Sequence, residues 1–104
     1  MFITFKQNNS GGYFIQDENV DVFVIIEGDS LRDILDRAND IFRDYRQYCR
    51  CCGERWDDDW KDNNDIDKEP MLYDESVYEF NDPWFKGDKV IIHRKNGVKE
   101  VVEL

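Results

Sequence analysis

The sequence predicts an α+β fold, a small domain in which one main helix packs on an antiparallel or mixed β-sheet. Three observations predict it. Apolar residues recur at helical spacing in one stretch only, Leu31 to Tyr45. β-forming segments at both ends of the chain are set off by clusters of turn residues. Aromatic side chains (7 Phe, 5 Tyr, 3 Trp) make up 14% of the 104 residues, enough to fill a core although 37% of the chain is charged. That length suits a single domain over 1–104.

The elements follow in order. Phe2 to Lys6 is rich in β-formers and is followed by the turn-favouring Gln7-Asn8-Asn9-Ser10-Gly11-Gly12. Tyr13-Phe14-Ile15 is again strand-like, so the two runs read as a hairpin. After a turn at Asp17-Glu18-Asn19, Val20 to Glu27 is the strongest strand, apolar on both faces, and belongs in the middle of the sheet. Ser30 then caps a helix, with Asp33 completing an acidic form of the capping box. Leu31, Ile34, Leu35, Ala38, Ile41, Phe42 and Tyr45 form its apolar stripe, and the charges on its other face neither make nor break it. Near the end, Val77 to Phe80 alternates and Lys89 to Lys95 reads as a strand. Asn96-Gly97 turns the chain into a return strand, Val98 to Leu104.

Charge narrows the function. The formal net charge is −10, and residues 54–69 hold eight acidic and three basic side chains. This stretch reads as an exposed acidic loop, with Trp56 and Trp60 pinning it to the body. An acidic balance argues against direct binding of nucleic acid or membranes, both negative surfaces. The longest apolar run, Val22 to Ile26, is far short of a membrane span. No secretory signal is expected at Met1 to Lys6, and three clustered cysteines make a poor disulfide framework, so a cytoplasmic setting is expected.

Several residues are candidates for chemistry. The Gln7 to Gly12 run holds more turn formers than a tight turn needs. It suits a small-ligand cradle, with glycine exposing backbone amides and carboxamides reading a base or ribose edge. It matches neither the Walker A nor the dinucleotide fingerprint. Arg55 can pair with a phosphate and Trp56 can stack on a base. Cys49, Cys51 and Cys52 lack the spacing that usually frames zinc, so no cofactor is expected and reduced, buried thiols are the plainer reading, with zinc as the alternative. Asn63, Asp65 and Asp67 fit calcium spacing only in part, since Lys68 stands where glycine belongs. His93, the only histidine, gives thin support for an enzyme, and none is expected.

The segments Phe5 to Gly12, Asn19-Val20, Val24 to Glu27 and Cys49-Arg50-Cys51-Cys52-Gly53-Glu54-Arg55-Trp56, with a Pro…Tyr stretch at Pro70 and Tyr73, resemble an uncharacterised family of small bacteriophage proteins. The likeness covers roughly the first 75 residues. It implies an accessory protein acting against host defences from the host cytoplasm. One route is a homo-oligomeric sponge that sequesters a nucleotide immune signal, a relative of cyclic ADP-ribose or a cyclic dinucleotide, without turnover. Gln7, Asn8, Asn9, Ser10, Gly11, Gly12, Arg55 and Trp56 would then hold the ligand. The other route is an acidic inhibitor, of DNA-mimic type, directed at a host defence protein.

Overall fold

The computed structural model describes residues 1–7, 14–43, 48–49, 53–54, 56, 66–72, 75–80 and 89–104. In chain order these form β1 (Phe2–Lys6), β2 (Phe23–Glu27), α1 (Leu31–Phe42), β3 (Tyr48–Cys49), β4 (Gly53–Glu54), β5 (Ile66–Asp67), β6 (Met71–Leu72), β7 (Glu75–Ser76), β8 (Lys89–His93) and β9 (Lys99–Glu103). Five strands make one mixed sheet in the order β5-β1-β2-β8-β9, and β3–β4 and β6–β7 are separate short pairs. The expected α+β class is what the structure shows.

Strand β2 lies at the centre, antiparallel to β1 and parallel to β8. Its sequence explains the place: Phe23 to Ile26 are buried without a break, as a strand covered on both faces requires. Alternation divides these residues between two cores. Ile3, Phe5, Val24 and Ile26 face α1 and pack with Ile34, Ala38, Phe42 and Trp56. Phe2, Phe23, Ile25, Val90 and Ile92 face the other way and pack with Leu72 and Val77, around the β6–β7 hairpin.

The helix begins where expected. Ser30 Oγ accepts from Asp33 N–H at 3.1 Å. The Asp33 carboxylate returns a bond not to Ser30 but one residue earlier, accepting from Asp29 N–H at 2.9 Å. Ile34, Ala38 and Phe42 are its buried face.

Three expected strands change. The hairpin partner of β1 is β2, and residues 14–16 hold no strand. The reason is Gln7: its side-chain amide takes both the N–H and the C=O of Ile15, replacing a ladder with a side-chain clasp. The strand expected from Val20 starts at Phe23, because the Asp17 carboxylate accepts from Asn19 and Val20 N–H, and Asp21 from Val22 N–H. Residues 77–79 form a turn instead of a strand, with Glu79 N–H bonded to Ser76 C=O. The C-terminal hairpin is present, but its loop has three residues: Arg94 N–H donates to Val98 C=O, and Gly97 takes the left-handed φ of +87° that closes such a loop.

Candidate functional site

Of the residues expected to hold a ligand, Gln7 and Trp56 are described, and the fold encloses both. Gln7 is 0% exposed. Its Nε2 donates to the carbonyls of Ile15 at 2.9 Å and Asp21 at 3.0 Å, and its Oε1 accepts from Ile15 N–H at 2.6 Å. The amide thereby ties together the start and end of the segment between β1 and β2. Trp56 is 5% exposed and stacks on Phe42, with ring centroids 4.1 Å apart. It also bridges to Gln7 through the backbone. Asn8, Asn9, Ser10, Gly11, Gly12, Arg55, Cys51 and Cys52 lie outside the described residues, as do Trp60 and most of the acidic stretch. Of that stretch, Glu54 lies in β4, Trp56 in an isolated bridge and Ile66–Asp67 in β5, while Lys68 and Glu69 are exposed bend residues. Cys49 sits in β3. No group of three or more potential metal ligands occurs among the described residues.

The described surface does contain a groove, elsewhere. It lies on the helix side of the sheet, beside α1 and over β8 and β9, and measures about 330 Å³. Arg37, Asp40 and Ile41 of the helix line it with His93 of β8, Lys99 of β9, Asn19 and Gly97. Helical spacing puts Arg37, Asp40 and Ile41 along one side of α1. The antiparallel register places His93 directly across from Lys99.

The two cations in this groove bond to neutral oxygens. Arg37 donates from Nη2 to the Arg94 carbonyl at 2.6 Å and from Nη1 to the Lys95 carbonyl at 3.2 Å. Its Nε is buried and has no hydrogen-bond partner. Lys99 Nζ donates to the neutral Asn19 Oδ1 at 2.6 Å. Nearby, Arg94 pairs with Glu100 at 2.9 Å and Lys95 with Asp29 at 3.1 Å, whereas Lys89 Nζ, like the groove cations, donates to a neutral oxygen, the Asp17 carbonyl, at 3.0 Å.

His93 lies between them, 8% exposed. Its Nε2 is 2.8 Å from the Asn19 carbonyl, an oxygen that only accepts, so Nε2 carries the proton. Burial pushes the His93 pKa down, and Lys99 and Arg37 act the same way, against the Asn19 hydrogen bond that raises it. The neutral imidazole then keeps Nδ1 as an acceptor that becomes a donor on protonation. Chemically, the groove offers two positive charges, the Asp40 carboxylate, one switchable group and the Ile41 wall.

Sequence reading assigns no site role to Arg37 or Lys99, puts Asn19 in a turn and in the family resemblance, and leaves His93 as a strand residue. Spacing gives no signal for this cluster, because its members come from four separate parts of the chain. The β8–β9 register is what unites two of them.

The chain is thus an α+β fold with one covering helix, and the groove at the helix edge brings together Arg37, Asp40, His93 and Lys99. Residues 1–102 match the family profile described as "Domain of unknown function (DUF7296)". The chain belongs to this family. The family is uncharacterised, as the resemblance implied. No curated protein and no solved structure matches the chain.

Proposed function

We propose that this chain is a non-enzymatic binding protein that holds a small, phosphate-bearing nucleotide derivative in the Arg37–His93–Lys99 groove. The observation that carries this reading is the pair of cations hydrogen-bonded only to neutral oxygens, in a protein whose charge is otherwise strongly negative. Fixed cations without carboxylate partners favour an anion, and guanidinium suits phosphate oxygens. The groove is of the size that small-molecule sites have, roughly 300–1,000 Å³. Ile41 supplies an apolar wall for a base, and the Asn8 to Gly12 run and Arg55, outside the described residues, stay candidates for ligand binding on their chemistry alone. Gln7 and Trp56 serve it indirectly, by fixing the fold around them.

The phage resemblance supplies the setting. The ligand is then a host immune signal, a cyclic dinucleotide or a cyclic ADP-ribose relative, removed from circulation intact by a protein in the host cytoplasm.

Calorimetric titration of the purified chain with a panel of these nucleotides tests the proposal, with the bound fraction recovered and weighed by mass spectrometry. One saturable site, ligand of unchanged mass, and affinity about 10- to 100-fold weaker in Lys99→Met are expected, the loss of one charged hydrogen bond. Turnover of the nucleotide, or binding untouched by Lys99→Met, refutes it. Silence from every nucleotide does so too, and leaves the acidic, protein-directed inhibitor as the reading to pursue.

A further inference from the structure

Strand β9 closes one side of the sheet, and its outer edge carries no partner strand among the described residues. The hairpin fixes which of its residues face outward. Val98 gives its carbonyl to Arg94 N–H, and the β8–β9 register runs from His93↔Lys99 to Lys89↔Glu103. In an antiparallel ladder, alternate residues turn their N–H and C=O toward the neighbouring strand. Glu100 and Val102 therefore bond to β8, while Lys99, Val101 and Glu103 direct their backbone groups away from it. Their side chains are exposed as well, Val101 by 53%. An unpaired edge of this kind is a template for another strand.

We propose that β9 pairs with β9 of a second copy of this chain, antiparallel about a two-fold axis at Val101. The two five-stranded sheets then become one continuous sheet. The charge pattern selects this arrangement. Lys99 and Glu103 stand two residues to either side of Val101. Antiparallel pairing centred on Val101 sets Lys99 opposite the second copy's Glu103 at both ends, with valine against valine between them. Parallel pairing in register sets lysine on lysine and glutamate on glutamate, which directly opposed like charges disfavour. A slip of two residues loses both attractive pairs. The Lys99–Glu103 and Val101–Val101 pairs of the centred register are also of the hydrogen-bonded kind, exchanging N–H and C=O in both directions. Because the interface is isologous, it uses both free edges and stops at two copies. The opposite edge, β5, has only two residues and offers little to extend. Lys99 is common to this pairing and to the groove, so the dimer is tested by oligomeric state alone, a readout that does not depend on what the groove binds.

Sedimentation equilibrium of the full chain tests it, with circular dichroism to confirm folding of each variant. The native protein should weigh twice one chain. Val101→Pro should give monomer, since the lost N–H points to the free edge and the β8–β9 ladder is spared. Glu103→Lys should give monomer by opposing two lysines at each end, and Lys99→Glu combined with Glu103→Lys should restore the dimer. If Val101→Pro fails to fold, the charge series decides alone. A monomeric native protein, a dimer that survives Glu103→Lys, or a double variant that stays monomeric overturns the proposal.

Discussion

The indole of Trp56 lies flat on the ring of Phe42, centroids 4.1 Å apart and planes 17° from parallel. Phe42 in turn meets Phe5 edge-on at 5.3 Å. The last turn of the helix is thus clamped between a sheet residue and the segment that follows the cysteines. A tryptophan in an acidic stretch is here a piece of the core.

Trp56→Ala should cost about 3–5 kcal/mol, the range for emptying a large aromatic site. Trp56→Phe should cost clearly less, because it keeps a ring against Phe42 and removes an Nε1–H that is buried without a partner. Urea unfolding of both variants checks the ranking; equal losses would show that the stack contributes little.

Gln7→Ala strands the N–H and C=O of Ile15 and the C=O of Asp21. At about 1 kcal/mol or more for each buried group left unpaired, a loss of about 3 kcal/mol is expected. The same variant, assayed well below its unfolding midpoint, should bind ligand as the native protein does, since the amide is wholly occupied inside the fold. Hydrogen exchange at the Ile15 amide gives a local readout.

Gly28 joins β2 to the helix. A Cβ there would lie 2.6 Å from Ile34 Cγ1 and 2.8 Å from an Asp33 carboxylate oxygen. Ile34 is wholly buried and cannot yield. Gly28→Ala should therefore destabilise by about 1–3 kcal/mol, the usual penalty of overpacking, seen as a lower thermal midpoint.

His93 makes stability depend on pH. Its pKa is lowered in the fold, mainly by burial, so the unfolded chain takes up the proton first as pH falls. The contribution of neutral His93 is whole above about pH 6.5, its unfolded value, and is lost as pH drops from there through the folded pKa. His93→Gln should flatten this part of the profile in denaturation series between pH 5 and 8 (about one unit either side of that value). Binding of an anion in the groove should run the other way, tightening as the imidazole gains charge.

Much of the fold is legible in the residues, for definite reasons. The unbroken apolar run of β2, the Ser30 cap and the Asn96-Gly97 turn each rest on local chemistry, and each is found close to its expected place. What misleads is side chains bonding to the backbone. Gln7 imitates a strand for Ile15, and Asp17 and Asp21 hold residues 17–22 in turns where β-propensity alone favours extension. The groove is illegible for a different reason. Arg37, His93 and Lys99 meet only because β8 lies parallel to β2 and β9 folds back on it, and nothing in their spacing encodes that pairing.

The parallel union of β2 with β8 has a consequence for synthesis on the ribosome. The middle strand of the sheet pairs on one side with residues near the beginning of the chain and on the other with residues near its end. Until β8 has left the exit tunnel, the nascent chain carries Phe23 to Ile26 with one flank open, an adhesive surface at the time when neighbouring chains are closest. The helix and β1 can form early, but closure waits for the final hairpin, and non-local pairings of this kind are slow to find. Shielding of the unfinished chain during that interval is expected to raise the share that folds instead of aggregating.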